Sequence, residues 1–333
     1  MLKKQLEKLR SKYRNLRSSI RLLSDYVYDL NRFLFHSALL NQYSSKVRHQ
    51  GRLIANYHVI EKGLSLREPR IGFGTEVVDN LVSILKSYQQ RYEFDEIAQV
   101  ALNTLFSYYE FNLERGLDKQ ALLDELLAIK KKIPSQAACT SAGGTVSVTK
   151  ESILSASKVD FERFVSARHS IRNFEQASVD IALIEEAIAI ALKTPSVCNR
   201  QTWKVHVCET SGSRAKALGH QNGNRGFGSD ADKVLILTSD LNLFTNSGER
   251  NQGFVDGGLF AMSLIYALHS LGLGTCCLNW SVRSGVDRAL RKDIAIGDSE
   301  IVIMMMAVGH LPDKLQVAQS SRRQVRDILV CHS

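Results

Sequence analysis

The chain has 333 residues, of which 44% are apolar and 23% are charged. It is therefore long enough for two domains and apolar enough to bury an ordinary core, which excludes a largely disordered protein. The net charge of +9 is concentrated at the start, because residues 1–21 hold eight lysines and arginines against one glutamate. This distribution excludes a protein-wide nucleic-acid surface, so we expect no specific nucleic-acid partner.

The cysteines and the apolar runs limit the cellular compartment in which the protein is expected. The six cysteines are Cys139, Cys198, Cys208, Cys276, Cys277 and Cys331, and their spacing fits neither a metal site nor a disulfide framework. No uncharged apolar run reaches the ~18 residues of a membrane span, and the start lacks the apolar stretch of a secretory signal. We therefore expect a cytoplasmic protein without a bound metal, attached at most peripherally to the inner face of the membrane.

The first predicted element is a heptad helix over residues 2–34. Position a holds Leu6, Tyr13, Ile20, Val27 and Leu34, and position d holds Leu2, Leu9, Leu16, Leu23 and Leu30. This pattern is typical of a parallel two-stranded coiled coil, but the basic residues at e and g, Lys3, Arg10, Arg17 and Lys12, would repel their copies in a simple homodimer. Three partners for residues 1–36 stay open: the protein itself or a sister subunit, an anionic membrane surface, and an acidic protein.

Two further regions follow the heptad helix. Helical periodicity continues through residues 80–92, 95–113 and 119–133, with breaks at 68–70 and 72–74, so we predict a helical accessory domain over residues 1–133. The small polar segment 134–150 is predicted to be a linker. In residues 151–333, helical patterns at 158–167, 181–193, 252–271 and 284–292 alternate with β-rich runs at 203–208, 234–238, 275–278 and 301–308. This second region is predicted to be an α+β domain.

Basic and hydroxyl side chains in the α+β region suit a phosphate group. Arg168, Ser170 and Arg172 lie within five residues beside His169, and guanidinium groups bind phosphate oxygens in a bidentate manner. Residues 320–323, Ser-Ser-Arg-Arg, offer a second donor cluster near the end of the chain. Each cluster also fits a solvated surface turn, so this charge pattern leaves both interpretations open.

Amide-rich and glycine-containing segments suit the binding of a flavin ring. The segment 195–203 brings Asn199 and Gln201 between a predicted helix and a predicted strand, and their amides can donate and accept hydrogen bonds to a pyrimidine edge. The predicted helix over 252–271 is followed by Gly272 and Gly274, and residues 222–226 form a turn-rich loop that contains Asn224. Capping, close packing and an ordinary loop would also account for these segments.

Taken in this order, the segments resemble the nitroreductase family of FMN-dependent flavoproteins. The resemblance covers residues 158–330 and is carried by Arg168-His169-Ser170-x-Arg172-x-Phe174, by Pro195-Ser196-x-x-Asn199-x-Gln201-x-Trp203 and by Gly272-Leu273-Gly274. It implies an α+β nitroreductase-like FMN-binding fold, with a central mixed sheet flanked by helices, preceded here by an all-α domain. It also implies a homodimer with the flavin at the subunit interface.

The resemblance implies which residues contact FMN. They are Arg168, His169, Ser170, Arg172, Pro195, Ser196, Val197, Asn199, Gln201, Asn224, Cys277, Leu278, Asn279, Arg322 and Arg323. In such proteins the loop that matches 195–199 often comes from the partner subunit. Leu278 and Asn279 fall beside the flavin N5 and O4 and are the candidate catalytic positions.

The implied activity is ping-pong hydride transfer from NADH or NADPH, through the flavin N5, to a small-molecule acceptor. The chain has no Gly-x-Gly-x-x-Gly fingerprint, so no separate dinucleotide site is expected. Two alternatives stay open: a flavin-dependent dehydrogenase that works in the oxidising direction, and a non-catalytic dimer platform recruited through its coiled coil.

Two departures from the family pattern concern the substrate side. Asn279 and Trp280 stand where many members have an acidic residue followed by glycine. Residues 240–252 are short for the lid that often shapes the substrate pocket. We therefore expect the helical domain to cover the substrate pocket instead. The segment Tyr57-His-Val-Ile-Glu-Lys-Gly-Leu64 resembles the accessory half of nitroreductase-like proteins associated with bacterial surface-polysaccharide synthesis. His58 and Glu61 share a helix face there, and we expect an ion pair between them.

Overall fold

The computed structural model describes residues 2–40, 43–134, 140 and 142–332. Its helices are α1 Leu2–His36, α2 Lys46–Leu64, α3 Thr75–Arg91, α4 Glu96–Leu113, α5 Gln120–Lys131, α6 Lys150–Ala156, α7 Phe161–Ala167, α8 Ile181–Ala191, α9 Ser211–Gly219, α10 Gln252–Ser270 and α11 Ser284–Ile294. Its strands are β1 Trp203–Cys208, β2 Lys233–Asp240, β3 Leu273–Asn279 and β4 Glu300–His310.

Helices α2 to α5 form a helical domain with its own apolar core. Leu53, Leu81, Leu105 and Leu126 contribute to this core and are completely buried. Side-chain caps fix where helices begin, since the Ser45 hydroxyl accepts from the first turn of α2 and the Asp95 carboxylate does the same for α4. The predicted helices over 80–92, 95–113 and 119–133 are thereby confirmed as α3, α4 and α5.

Part of the predicted linker packs against the helical domain. Residues 135–139 and 141 of that segment lie outside the described residues. Further on, the Gly144 N–H donates to Thr104 Oγ1 at 3.1 Å, and the Asn103 side chain donates to the Ala142 carbonyl at 2.8 Å. The short helix α6 that follows was not predicted, because seven residues, none of them buried, are too few to show a core-facing stripe.

The α+β domain consists of a sheet between two helical layers. The strand order is β1-β2-β4-β3, and each of the three strand pairs is antiparallel. Strand β2 is buried throughout; Val234 and Ile236 face α9 and α11, while Leu235 and Leu237 face α8 and α10. The α+β class is confirmed. The expected mixed sheet is reduced to an antiparallel one, since its parallel contact in the described chain is the isolated bridge Ser170–Thr275.

Helix α1 is anchored by one face, and its heptad side chains from Tyr13 to Leu30 are exposed. The Tyr28 hydroxyl and the Arg32 guanidinium donate to the Asp287 carboxylate at 2.7 and 3.0 Å, which attaches the end of α1 to α11. The a and d side chains point elsewhere: Leu16, Ile20 and Leu23 are 60%, 59% and 65% exposed. The coiled coil therefore stays a prediction. Across the described chain we find no helix whose length and apolarity would let it cross a bilayer.

Candidate functional site

The first site segment runs along an open edge of the sheet. Strand β3 is last in the strand order, and the Ile171 N–H donates to the Thr275 carbonyl at 2.8 Å beside the Ser170–Thr275 bridge. Residues 168–172, which follow α7, therefore lie alongside β3. We call this region, residues 168–172 together with 275–279, the β3 edge.

Backbone groups of β3 turn toward this edge. Because the Thr275 carbonyl accepts from Ile171, the two-residue period of a strand directs the backbone groups of Cys277 and Asn279 to the same side, away from β4. A contact supports this orientation, since the Gln221 side chain donates to the Asn279 carbonyl at 3.0 Å. The segment that was predicted to face the flavin thus presents backbone donors at the β3 edge.

The β3 edge is positively charged. Desolvation raises the pKa values of the Cys276 and Cys277 thiols, and the charges of Arg172 and Arg168 respectively act in the opposite direction. Arg172 also lies 5.9 Å from the centre of the Phe227 ring. Neither arginine has a carboxylate partner among the described residues. Two uncompensated guanidinium groups beside backbone donors suit an anionic ligand that also has a polar ring edge.

The predicted flavin loop lies at the opposite edge of the sheet, beside β1. Cys198, Asn199 and Gln201 all have left-handed backbones, with φ of 49°, 53° and 48°, which non-glycine residues adopt at a cost. Hydrogen bonds hold this conformation: the Gln201 N–H donates to Ser196 Oγ at 3.0 Å, and the Val197 N–H donates to the Asp256 carboxylate at 3.2 Å. A strained loop that its surroundings hold in place is typical of a functional site.

A buried ion pair braces this loop. Arg200 is 3% exposed and donates through both terminal nitrogens to the Glu249 carboxylate, and also to the Leu243 carbonyl at 2.8 Å. Desolvation raises the pKa of Glu249, but the hydrogen bonds and charge of Arg200 outweigh it and lower the pKa overall. Sequence reasoning missed Glu249, Asp256 and Gln221, because their partners lie 49, 59 and 58 residues away in the chain.

The helical domain packs on residues 241–244, the turn after β2 to which Arg200 donates. Gly51 of α2 packs on the 241–243 turn so closely that a Cβ atom there would lie 3.1 Å from the Leu243 Cα. Arg48 donates to Asn242 Oδ1 at 2.9 Å, and the Ala38 N–H donates to the Phe244 carbonyl at 2.8 Å. The expectation that the helical domain covers this short region agrees with these contacts. The expected His58–Glu61 pair is confirmed at 3.1 Å.

The residues predicted to contact FMN form two groups that lie far apart within one chain. Arg168, His169, Ser170, Arg172, Cys277, Leu278 and Asn279 lie at the β3 edge, whereas Pro195, Ser196, Val197, Asn199 and Gln201 lie beside β1. Three strand spacings, roughly 14 Å, separate the two edges. Asn224 donates to the Leu218 and Gln221 carbonyls at 3.0 and 2.6 Å and thereby supports Gln221.

The C-terminal arginines lie on an exposed tail. Arg322 donates to the Ser320 carbonyl, and Arg323 donates to the Asp327 carbonyl at 2.8 Å. These hydrogen bonds stay within the tail, so the role of both arginines in phosphate binding stays a prediction. Nowhere in the described ranges do three or more His, Cys, Asp or Glu side chains form a group that could hold a metal ion.

Comparison with known proteins shows which family the α+β domain is similar to. Residues 165–221 and 211–310 match the model of the nitroreductase family. The chain is 24% identical over 216 residues to 4-nitrobenzoate reductase of Pseudomonas putida, covering 51% of this chain and 92% of that protein. Among solved structures it is similar to an FMN-dependent nitroreductase from Clostridium difficile, with 18% identity and a TM-score of 0.44 over 51% of this chain and 98% of that one.

A nitroreductase family protein from Streptococcus pneumoniae is similar at 22% identity, with a TM-score of 0.44 over 52% of this chain and 100% of that one. The family match falls on the α+β domain, and the order of the motifs in the sequence agrees with it. The α+β domain therefore belongs to the nitroreductase family, which is a family of oxidoreductases. The helical domain and α1 are extensions that precede the matched residues.

Proposed function

We propose that the protein is an FMN-dependent oxidoreductase that takes electrons from NADH or NADPH and passes them to a small-molecule acceptor. The single observation that carries the proposal is the β3 edge, where Arg168 and Arg172 have no carboxylate partner among the described residues. Membership of the nitroreductase family and similarity to an FMN-dependent nitroreductase support the same assignment.

The residues of the β3 edge fit FMN in charge and in hydrogen-bonding capacity. Arg168 and Arg172 would hold the phosphate group through charge-assisted hydrogen bonds. The backbone N–H groups of Cys277 and Asn279 point away from β4 and would face the polar edge of the ring. Asn279 Oδ1 already accepts from the Ser281 N–H at 3.1 Å, which leaves its side-chain amide hydrogens to donate.

FMN, when bound, supplies the hydride-carrying chemistry, and the protein supplies binding, orientation and electrostatics. Gln221 fixes the Asn279 carbonyl and so positions the end of β3. Cationic side chains and N–H donors at this edge favour negative charge there, so they would stabilise a reduced, more anionic ring. No general acid or base is assigned.

A second subunit completes the proposed site. The loop beside β1 and the arginines beside β3 lie at opposite edges of one sheet, so a flavin bound to the arginines could be covered only by another copy's loop. This supports a homodimer with the flavin at the interface. The association with surface-polysaccharide synthesis stays a prediction that rests on the Tyr57–Leu64 segment.

The first experiment is an absorption spectrum of the purified protein, followed by anaerobic titration with NADPH and then NADH. We expect a flavin spectrum that bleaches with at least one nicotinamide. A flavin spectrum that neither donor bleaches would contradict the reductase and favour a dehydrogenase or a non-catalytic dimer platform. A protein that stays colourless and does not bind added FMN would contradict the cofactor assignment.

The second experiment replaces both arginines. Arg168→Ala with Arg172→Ala should give colourless protein, since each charge-assisted contact is worth about 1.5–3 kcal/mol. The control is Arg67→Ala with Arg70→Ala, two exposed arginines of the helical domain, which should keep its FMN. Stoichiometric FMN in the Arg168/Arg172 variant would overturn the phosphate site.

A mixing experiment tests the shared site. The Arg168/Arg172 variant is mixed with an Asn199→Ala variant, and subunits are exchanged. Each heterodimer then contains one site with intact arginines and an intact loop, so activity should recover to a fraction of wild type. Absence of recovery in demonstrated heterodimers would mean that one chain supplies both groups.

A further inference from the structure

A cleft of about 380 Å³ lies between α1 and α11, and we call it the basic cleft. Arg32 and His36 line it from the last turns of α1, and Arg288, Arg291 and Lys292 line it from α11. None of the described residues that line it belongs to the β3 edge or to the loop beside β1. Because α1 precedes the residues that match the nitroreductase family, the extension and the α+β domain form this cleft together.

The protein itself holds two of the cationic side chains of the basic cleft in place. The buried Asp287 carboxylate accepts from Arg32 at 3.0 Å and from Arg291 at 2.7 Å. Arg32 also donates to the Asp298 carbonyl at 2.8 Å. Arg291 also donates to the Gly297 carbonyl at 2.9 Å. One carboxylate therefore serves two guanidinium groups, so a positive charge is left over beside the cleft.

The other two cations have no carboxylate partner. Arg288 and Lys292 lie one turn apart on α11, and neither forms an ion pair with a residue that the structure describes. The Arg288 guanidinium lies over the Tyr28 ring, 4.4 Å from its centre, and this contact leaves its N–H donors available. Asp298 is the one acid among the described lining residues. Even when Asp287 is counted with it, the cleft keeps a surplus of two positive charges.

His36 adds a polar group without a partner to the basic cleft. Its half-buried imidazole makes no hydrogen bond to a described residue. Desolvation lowers the pKa of His36, and the charge of Arg32 lowers it further, acting more strongly than the opposing charge of Asp298. The imidazole therefore lies in a positive field, and a bound anion would accept its N–H.

We propose that the basic cleft binds a phosphate group with at least two negative charges, carried by a soluble molecule or by a membrane lipid. A dianion matches the surplus of two positive charges, whereas a single carboxylate would leave half of it uncompensated. Arg288 and Lys292 would donate to the phosphate oxygens through charge-assisted hydrogen bonds. The site goes beyond the proposed function, because it depends on α1, which lies outside the residues that match the family.

Calorimetric titration with inorganic pyrophosphate tests the basic cleft. The full-length protein is titrated at physiological ionic strength, so that weak surface attraction is screened. We expect saturable binding of one pyrophosphate per chain, and no saturable binding of acetate at the same ionic strength. Absence of saturable pyrophosphate binding, or equal affinity for acetate, would overturn the proposal.

Matched variants locate the probe. Arg288→Ala with Lys292→Ala should weaken pyrophosphate binding by about tenfold or more. Arg67→Ala with Arg70→Ala removes the same charge from exposed positions of the helical domain and should leave the affinity unchanged. Arg288→Lys, which keeps the charge but loses the paired donors, should weaken binding roughly threefold to tenfold. Equal losses in the two double variants would show a general effect of charge and contradict the cleft.

Two further outcomes would place the probe elsewhere. Unchanged affinity in the Arg288/Lys292 variant, with a thermal midpoint that matches wild type, would contradict the cleft. A loss confined to the Arg168/Arg172 variant would place pyrophosphate at the β3 edge and also contradict the proposal. The FMN content of every variant is measured separately by absorbance, and the Arg288/Lys292 variant should keep its FMN. Failure of the cleft is therefore distinguishable from failure of the flavin assignment.

Sedimentation with vesicles distinguishes the two sources of the phosphate. A groove that adjoins the basic cleft shares Arg32, His36 and Arg288 with it and is also lined by the exposed side chains of Val27 and Phe35. Phosphatidylcholine vesicles with and without phosphatidic acid are sedimented with wild type and with the Arg288/Lys292 variant. Co-sedimentation that requires both phosphatidic acid and the two cations would assign the phosphate to a lipid. Its absence, with pyrophosphate binding intact, would assign the phosphate to a soluble molecule.

Discussion

The two edges of the sheet differ in how their polar groups are satisfied. Beside β1, Arg200, Lys204 and Glu300 are paired, and α2 packs over the neighbouring loop. At the β3 edge, the two arginines have no carboxylate partner among the described residues. Buried and paired charges hold a structure in place, whereas unpaired cations beside unused backbone donors are suited to a ligand. The charges beside β1 are thus paired within the chain, whereas the two arginines of the β3 edge are left for the proposed ligand.

The largest effect on stability is expected when Glu249 is removed from the β1 edge. Glu249→Ala would leave the Arg200 guanidinium buried without a counter-charge, so we expect a loss of about 3–5 kcal/mol in the free energy of unfolding. Urea unfolding measures it. The control is Glu125→Ala, which breaks the exposed Lys86–Glu125 pair and should cost at most ~1 kcal/mol. Similar losses in the two variants would mean that the β1 edge is not held by its buried pair.

Acid titration tests the other carboxylate of the β1 edge. Desolvation raises the pKa of Glu300, but hydrogen bonds from His206 and Thr238 and the nearby charges lower it from 4.5 to about 2. A lowered pKa adds stability that is complete above pH 4.5 and is lost as the pH falls toward 2.

Wild type should therefore lose ~3 kcal/mol more than Glu300→Gln between pH 5 and pH 2, at about 1.4 kcal/mol per pKa unit. Urea unfolding at a series of pH values measures the difference. Parallel pH profiles for the two proteins would show that Glu300 is not coupled to its partners.

A steric change tests how tightly the helical domain covers the β1 edge. Gly51→Leu places atoms against the Leu243 backbone, where a Cβ alone would lie 3.1 Å from the Cα. We expect a loss of about 1–3 kcal/mol in the free energy of unfolding. Gly285→Leu is the control, since no atom lies within 4 Å of a Cβ there. Equal stability of the two variants would mean that α2 does not depend on close contact.

The smallest effect is expected at the β3 edge. Gln221→Ala removes the donor to the Asn279 carbonyl and the acceptor for the Gly223 N–H. On the proposed function, FMN should bind roughly threefold to tenfold more weakly, because the Asn279 carbonyl loses the hydrogen bond that positions the end of β3. Fluorescence titration with FMN measures this, and the exposed neighbour Asn222→Ala should not change the affinity. An unchanged Kd for Gln221→Ala would remove Gln221 from the site.

Most of the fold could be predicted from local patterns. Strand β1 has the predicted bounds, because an apolar run between polar turns defines it. Strand β2 extends beyond its prediction to Lys233 and Asp240, whose charges are buried only because Asp232 and Lys204 pair with them. Helices α6 and α9 were missed because they have only seven and nine residues, too few for a clear helical period, although each begins at a threonine cap.

The sequence by itself determined most of the helices and strands, the order of the motifs and the residue types suited to a phosphate and a ring edge. These properties depend on neighbours a few residues apart. Only the tertiary structure decided that the arginines and the flavin loop lie at opposite edges of one sheet, that Glu249 neutralises Arg200, and that basic residues of α1 and α11 line one cleft. Each of these depends on contacts between distant parts of the chain, which local patterns do not encode.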